Sequence, residues 1–271
     1  MMPCCTWAQP VASCVVASIF VTGSSDGIGQ ETARQLVRAG HRVVLHARDA
    51  ARATDAAAAV PGAAGVATGD LSVLAGSRTA AAGANALGPY DVVIHNAGVG
   101  SHPVRRATAD GCEHIFAVNV LAPYLMTALM PLPPRLIYLT SGLESAGRAN
   151  LADLQRESRA WDGWQAYCDS KLYDVLLAFA VARRYPRVRS NAVDPGWIKT
   201  KLGGRGATDD LPIGASTQVW LATSDEPEAT VTGRYFKWRN DLRANPEASD
   251  TRLQESLLTA CADISAATLP D

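Results

Sequence analysis

Residues 18–40 read SIFVTGSSDGIGQETARQLVRAG. Four apolar or small residues run into a glycine-rich turn, and an amphipathic pattern follows with Ala33, Leu36 and Val37 on one face, so the stretch predicts strand, turn and helix in immediate succession. Gly23, Gly27 and Gly29 lie between the strand and the helix, where glycine lets the backbone turn tightly and come close to a pyrophosphate. The phosphates would then meet free N–H groups at the positive end of the helix. Ser25, Asp26 and Ile28 fill the spaces between these glycines and are candidates for the same contact. The spacing is G-x-x-x-G-x-G, which differs from the more usual G-x-G-x-x-G, and three glycines alone also suit an ordinary turn.

The pattern repeats outward from this unit. HRVVLHA precedes an alanine-rich stretch, YDVVIHN precedes CEHIFAVNVLAPYLMTALM, RLIYLTS precedes a helix through Tyr167, and VRSNAVD precedes a short helix. Such alternation predicts an α/β, Rossmann-like doubly wound parallel sheet with helices on both faces, and ligands at the carboxyl ends of the strands. The alanine-rich segments at 50–68 and 75–87 read as compositional. A chain of 271 residues, 48% hydrophobic and without a linker, is expected to form a single domain over 17–271 after a loose extension at 1–16. The extension lacks the basic flank of a secretory signal, and no apolar run has the length of a membrane span.

A formal net charge of −1 with mixed signs argues against nucleic-acid or polybasic membrane partners and leaves a small-molecule substrate. Cys4, Cys5, Cys14, Cys112, Cys168 and Cys261 form no C-x-x-C pair, and the histidines, His95 and His102 among them, form no cluster. No metal site is indicated, and a reducing, cytoplasmic setting fits best. Cys168 has no histidine placed to activate it as a nucleophile.

The second predicted strand ends in H-A-R. Ala47 stands where an acid would bind the ribose hydroxyl of NAD, and Arg48 follows with a guanidinium suited to a 2′-phosphate, although Asp49 comes next. NADP(H) is therefore expected in preference to NAD(H). Tyr167 and Lys171, four apart in Y-C-D-S-K, share one helix face, where the ammonium would favour the phenolate and let the tyrosine exchange a proton near neutral pH. In isolation such a pair reads more simply as one aromatic and one solvated lysine on an amphipathic helix.

T-G-x-x-x-G-x-G, then Asp70 and Leu71, N-A-G at Asn96 to Gly98, Asn119, Ser141, Y-x-x-x-K, and P-G-x-x-x-T from Pro195 to Thr200 occur in that order. Over residues 17 to about 240 the chain resembles the short-chain dehydrogenase/reductase family. The resemblance implies an NADP(H)-dependent oxidoreductase, a carbonyl reductase or alcohol dehydrogenase acting on a small to medium, fairly apolar substrate. It implies that Tyr167 is the general acid/base, that Lys171 lowers its pKa and holds the nicotinamide ribose, that Ser141 orients the substrate oxygen, and that Asn119 orders a relay water. Read without the family, Asn119 is a buried polar residue satisfied by backbone. The resemblance further implies that Asp70 and Leu71 flank the adenine, that Asn96, Ala97 and Gly98 pass under its ribose, that Ile198 and Thr200 meet the carboxamide, and that Pro195 and Gly196 turn the chain beside the ring.

Two departures stand out. Residues 142–166 form an insertion resembling that of retinol dehydrogenase-like reductases; it is expected to fold over the site, with Trp161 and Trp164 either lining a pocket or pinning the loop. The segment after Thr200 is short, so the lid should be small and mobile, with glycines suited to a hinge. A homodimer or homotetramer through the helices carrying Asn119 and Tyr167 is also implied. Two other activities fit the same fold: a cofactor-sensing binding protein without turnover, and an isomerase, epimerase or dehydratase. The C-terminal TRLQESLLTACADI reads as a closing amphipathic helix.

Overall fold

The computed structural model describes residues 16–270, so most of the predicted N-terminal extension, with Cys4, Cys5 and Cys14, lies outside the described residues. Strands and helices alternate from the start: β1 (Ser18–Val21), α1 (Gly27–Arg38), β2 (Arg42–Ala47), α2 (Ala50–Ala59), β3 (Gly65–Thr68), α3 (Leu74–Leu87) and β4 (Val92–His95). A short α4 (His114–Phe116) then passes through a π-turn at Ala117–Leu121 into α5 (Ala122–Leu129) and β5 (Arg135–Leu139). The remainder is α6 (Gly163–Arg184), β6 (Arg189–Asp194), α7 (Leu211–Thr223), β7 (Tyr235–Lys237), β8 (Asn240–Leu242) and α8 (Thr251–Ser265).

These strands form one eight-stranded sheet in the order β3-β2-β1-β4-β5-β6-β7-β8, parallel throughout except for β8, which runs antiparallel to β7. The two-residue period of a strand sends Ile19 and Val21 of β1 to one face, against Ala33 and Leu36 of α1 and Leu221 of α7. Phe20, between them, joins the opposite layer with residues of α3, α5 and α6. All three are wholly buried, which is why the strand reads as a continuous apolar run. The chain builds β2 and β3 on one side of β1, then crosses to start β4 on the other. The strand order therefore reverses between β1 and β4, where the glycine turn and N-A-G follow directly.

Some elements differ from the sequence reading. β3 lies inside the alanine-rich stretch, and Gly-Val-Ala-Thr carries too few branched residues to stand out as a strand. β7 and β8, three residues each, are too short to show a period. The first turn of α6 takes up 163–166 of the predicted insertion, capped by the Asp162 carboxylate accepting from Gln165 N. The π-turn ends beside Pro123, which has no N–H to give the carbonyl of Asn119, and Ala122 N instead reaches back to Ala117 O. Finally, α8 lies against α6 and α5. Leu257, Leu258 and Cys261 enter their apolar layer, and Tyr124 Oη donates to Ala267 O at 2.9 Å.

Candidate active site

The glycine turn is fixed from below by groups that the sequence did not advertise. Gly23 N donates to Nδ1 of His46 at 3.0 Å, while Nε2 of the same ring lies 2.9 Å from Gly69 O, so one buried imidazole ties the end of β1 to the end of β3. Burial lowers the pKa of His46, consistent with a neutral ring that accepts on Nδ1 and donates on Nε2. Thr22 Oγ1 accepts from Asn96 N and Ala97 N, and Asn96 Nδ2 donates to Thr22 O and Gly23 O. Gly23 has φ +61°, and a Cβ there would stand 2.8 Å from Ala97 Cα. Both requirements exclude a side chain where the two loops meet.

Asp26 caps α1 by accepting from Gly27 N at 2.8 Å. The same carboxylate meets Lys201 at 2.5 Å and Arg52 at 3.8 Å, and the hydrogen bond from Lys201 holds its pKa below the usual carboxylate range. It therefore joins the glycine turn to the segment after Thr200. Thr200 covers the turn too, with its methyl 3.5 Å from where a Gly27 Cβ would be. Ile28 is half-buried and packs against the layer of α1.

Arg48 is exposed, with Nε 3.4 Å from Asp49. Asp49 Oδ1 caps α2 by accepting from Arg52 N at 2.8 Å. Arg52, absent from the sequence-based candidates, places its guanidinium 3.3 Å from Ser25 Oγ. The clue was the R-D-A-A-R run, in which Arg48 stands before the Asp49 cap and Arg52 falls in the first turn of α2.

Asp70 Oδ1 accepts from Ser72 N at the end of β3, while Leu71 is buried in the core. Gly196 has φ +99° and donates its N–H to Asp194, whose other oxygen is paired with Lys237 at 2.9 Å. Pro195 follows that same strand end. Ile198 is buried beneath α7, close enough to Gly214 that a Cβ there would meet it at 2.7 Å, so its side chain packs against that helix.

Asn119 sits at the centre of the π-turn. Its Oδ1 accepts from Val99 N at 2.8 Å, and its Nδ2 donates to Val99 O at 3.1 Å and Ser170 Oγ at 2.9 Å. The amide thus clamps the loop after Gly98 through both backbone groups of Val99. A Cβ at Gly98 would lie 3.4 Å from Asn119 Oδ1 and 3.6 Å from Lys171 Nζ, so glycine there keeps the space between them open. Lys171 is buried, donating to Leu139 O at 3.0 Å and to Asp174 Oδ2 at 2.8 Å, and its Nζ lies 5.8 Å from the centre of the Tyr167 ring. Ser141, two residues past the end of β5, is half-buried and accepts from Leu143 N at 3.3 Å.

The insertion is anchored beside Tyr167. Asp169, two residues on, accepts from Arg156 at 2.7 Å, Gln165 at 2.8 Å and Arg148 N at 3.0 Å. Trp161 Nε1 donates to His102 O at 3.0 Å and so pins the loop, whereas Trp164 is exposed. Cys168 is fully buried with its thiol pushed up to about 11, as befits a packing residue. Among the described residues no His/Cys/Asp/Glu group could hold a metal ion, and no helix is long and apolar enough to cross a membrane.

Residues 17–210 match the family model described as short chain dehydrogenase. The chain belongs to the short-chain dehydrogenase/reductase family. It is similar to the short-chain dehydrogenase chyC of Penicillium rubens, with 42% identity across 94% of this chain and 100% of that protein. Human retinol dehydrogenase 14 is 32% identical over 89% of this chain and 83% of its own length. Among solved structures, a blue fluorescent protein from a metagenomic library, in complex with NADPH, superposes with a TM-score of 0.65 at 27% identity, covering 82% of this chain and 95% of that one. Family membership makes this an oxidoreductase of the dehydrogenase type that binds a nicotinamide dinucleotide and a small-molecule substrate.

Proposed function

We propose that this member of the family is an NADP(H)-dependent carbonyl reductase or alcohol dehydrogenase for a small to medium, fairly apolar substrate, with Tyr167 as its general acid/base. The observation that carries the reading is the buried ammonium of Lys171, held 5.8 Å from the Tyr167 ring by Leu139 O and Asp174. A cation fixed there stabilises negative charge developing on the phenol oxygen, which suits Tyr167 to exchange a proton with the substrate oxygen.

The residues fit a phosphorylated dinucleotide. Side chains are excluded at Gly23 and Gly29, where a Cβ would stand 2.5 Å from Gly23 O, so the backbone of the turn stays bare at the start of α1. Arg52 stands beside Ser25 and the exposed Arg48 follows the end of β2, and together they offer two guanidinium groups, a donor set suited to a 2′-phosphate. The bound nicotinamide supplies or accepts the hydride. Tyr167 gives its proton to the carbonyl oxygen or takes it from the hydroxyl, and Ser141 donates a hydrogen bond to that oxygen and fixes it for transfer. Lys171 retains one N–H for the ribose hydroxyls, and Gly98 leaves room for the approach. Thr200, Pro195 and Gly196 would help hold the nicotinamide, as the family resemblance implies.

Turnover of an aldehyde, ketone and alcohol panel, followed by NADPH absorbance, tests the reading. Tyr167→Phe should lose nearly all activity while still binding NADPH. Normal turnover in that variant would sink the mechanism, and product formation without net cofactor consumption would point to an isomerase. The scattered cysteines and the lack of a spanning helix among the described residues favour a cytoplasmic setting.

A further inference from the structure

Tyr167, Lys171 and Asp174 occupy one face of α6 at spacings of four and three. An ammonium has three N–H bonds, and two of those of Lys171 are taken by the chain itself, at Leu139 O and Asp174 Oδ2. Lys171 and Asp174 are both buried, so the carboxylate stands 2.8 Å from the ammonium with little water to screen either charge. No motif in the sequence marks Asp174.

We propose that Asp174 is a positioning residue that fixes the Lys171 ammonium and offsets part of its charge, and so sets how strongly the lysine favours the phenolate of Tyr167. This rests on the reading of Tyr167 as the acid/base. A lone buried ammonium would act on the phenol at full strength, whereas the field of a close ion pair falls away faster with distance. The carboxylate thus moderates the lysine. It also keeps the lysine charged, since burial alone would favour its neutral form, and the Coulombic pull of Asp174 works against that.

The surroundings leave this pair in control. Besides Lys171 and Tyr167 on α6, β5 contributes Tyr138, whose phenol burial and the charge of Asp174 push up. Tyr138 Oη shares a hydrogen bond with Thr127 Oγ1 at 3.0 Å, and Thr127 in turn meets His95 Nε2 of β4 at 3.1 Å. His95 is kept neutral by burial, and Asp194 at the end of β6 is already bound to Lys237. From the π-turn comes only the uncharged Asn119.

The test is the ionisation of Tyr167, read as the tyrosinate difference absorbance between each protein and its Tyr167→Phe counterpart across pH, with the oxidative pH–rate profile beside it. Asp174→Asn keeps the shape and an oxygen acceptor but removes the charge. It should lower the titration midpoint and the acid limb of kcat/KM by about one pH unit, and Asp174→Ser should move them the same way. Superimposable curves in folded variants with reduced kcat would overturn the proposal, leaving Asp174 a merely structural residue. Failure of both variants to fold, judged by circular dichroism, would assign the carboxylate to stability and overturn it too. A shifted titration without turnover of any carbonyl or alcohol would uphold the role of Asp174 and reject the reductase reading, so the two failures are separable.

Discussion

Nδ1 of His46 accepts the N–H of Gly23 at 3.0 Å, which makes a buried histidine on β2 the support of a glycine turn on β1. The support exists only in the neutral ring, because a protonated Nδ1 cannot accept. His46→Ala should weaken NADPH binding about tenfold, equivalent to ~1.4 kcal/mol, by freeing the turn without touching a phosphate-binding side chain. His46 has its pKa lowered in the fold, so the bond is present above that value and lost as pH falls through it. Fluorescence titrations of NADPH at neutral and acid pH, in parent and variant, check both expectations.

Arg48 and Arg52 are expected to discriminate between cofactors. Arg52→Ala and Arg48→Ala should each raise the Kd for NADPH several-fold and leave that for NADH nearly unchanged, since the charge-assisted bonds in question go to a phosphate NADH lacks. Both side chains are substantially exposed, which keeps each effect modest and makes it shrink at high salt. Titrations with the two nucleotides at low and high ionic strength measure this directly. Equal loss for both would place these arginines elsewhere in the site.

Asp169 is the centre of a buried ion pair with Arg156 that holds the 142–166 segment on α6. Asp169→Leu should cost about 3–5 kcal/mol, because it strands a buried guanidinium, whereas Asp169→Leu with Arg156→Leu should cost less than the single change. Urea unfolding provides the energies. Because Asp169 lies two residues from Tyr167, KM for substrate should rise in the single variant before global unfolding sets in.

His95 is wholly buried, with Nδ1 lacking a partner, and burial lowers its pKa to about 3. The unfolded chain binds a proton near pH 6.5, so the fold is favoured above that value and loses stability as pH falls toward 3. Between pH 6.5 and 5 this one residue should remove about 2 kcal/mol. Thermal melts of parent and His95→Leu across this range should differ in slope, the variant being flatter.

A homodimer or homotetramer is expected to pair the helices carrying Asn119 and Tyr167, on the surface left by α8, which packs on α5 and α6 through Leu257, Leu258 and the Tyr124 bond to Ala267. Light scattering at micromolar concentration should find a dimer or tetramer, and a monomer would remove that expectation. Leu257→Ala is expected to cost about 2–5 kcal/mol in a urea melt and to promote self-association by uncovering that apolar layer.

The glycine turn, the Y-x-x-x-K pair and the strand–helix alternation were legible in the chain because each is local. A strand buried on both faces must be apolar throughout, a turn with positive φ requires glycine, and residues four apart on a helix share a face. β3, β7 and β8 were not legible, being short and poor in branched residues, and neither was the π-turn beside Pro123.

The sequence by itself determined the doubly wound sheet, the family and the identity of the residues gathered at the strand ends. Tertiary structure alone decided their partners: His46 under Gly23, Arg52 beside Ser25, Asn119 on Val99, and the buried Lys171 on Leu139 O of β5 beside Asp174. Periodicity records which way a side chain points. What it meets there depends on contacts between segments far apart in the chain, and the strength of a charge depends on the water those contacts exclude.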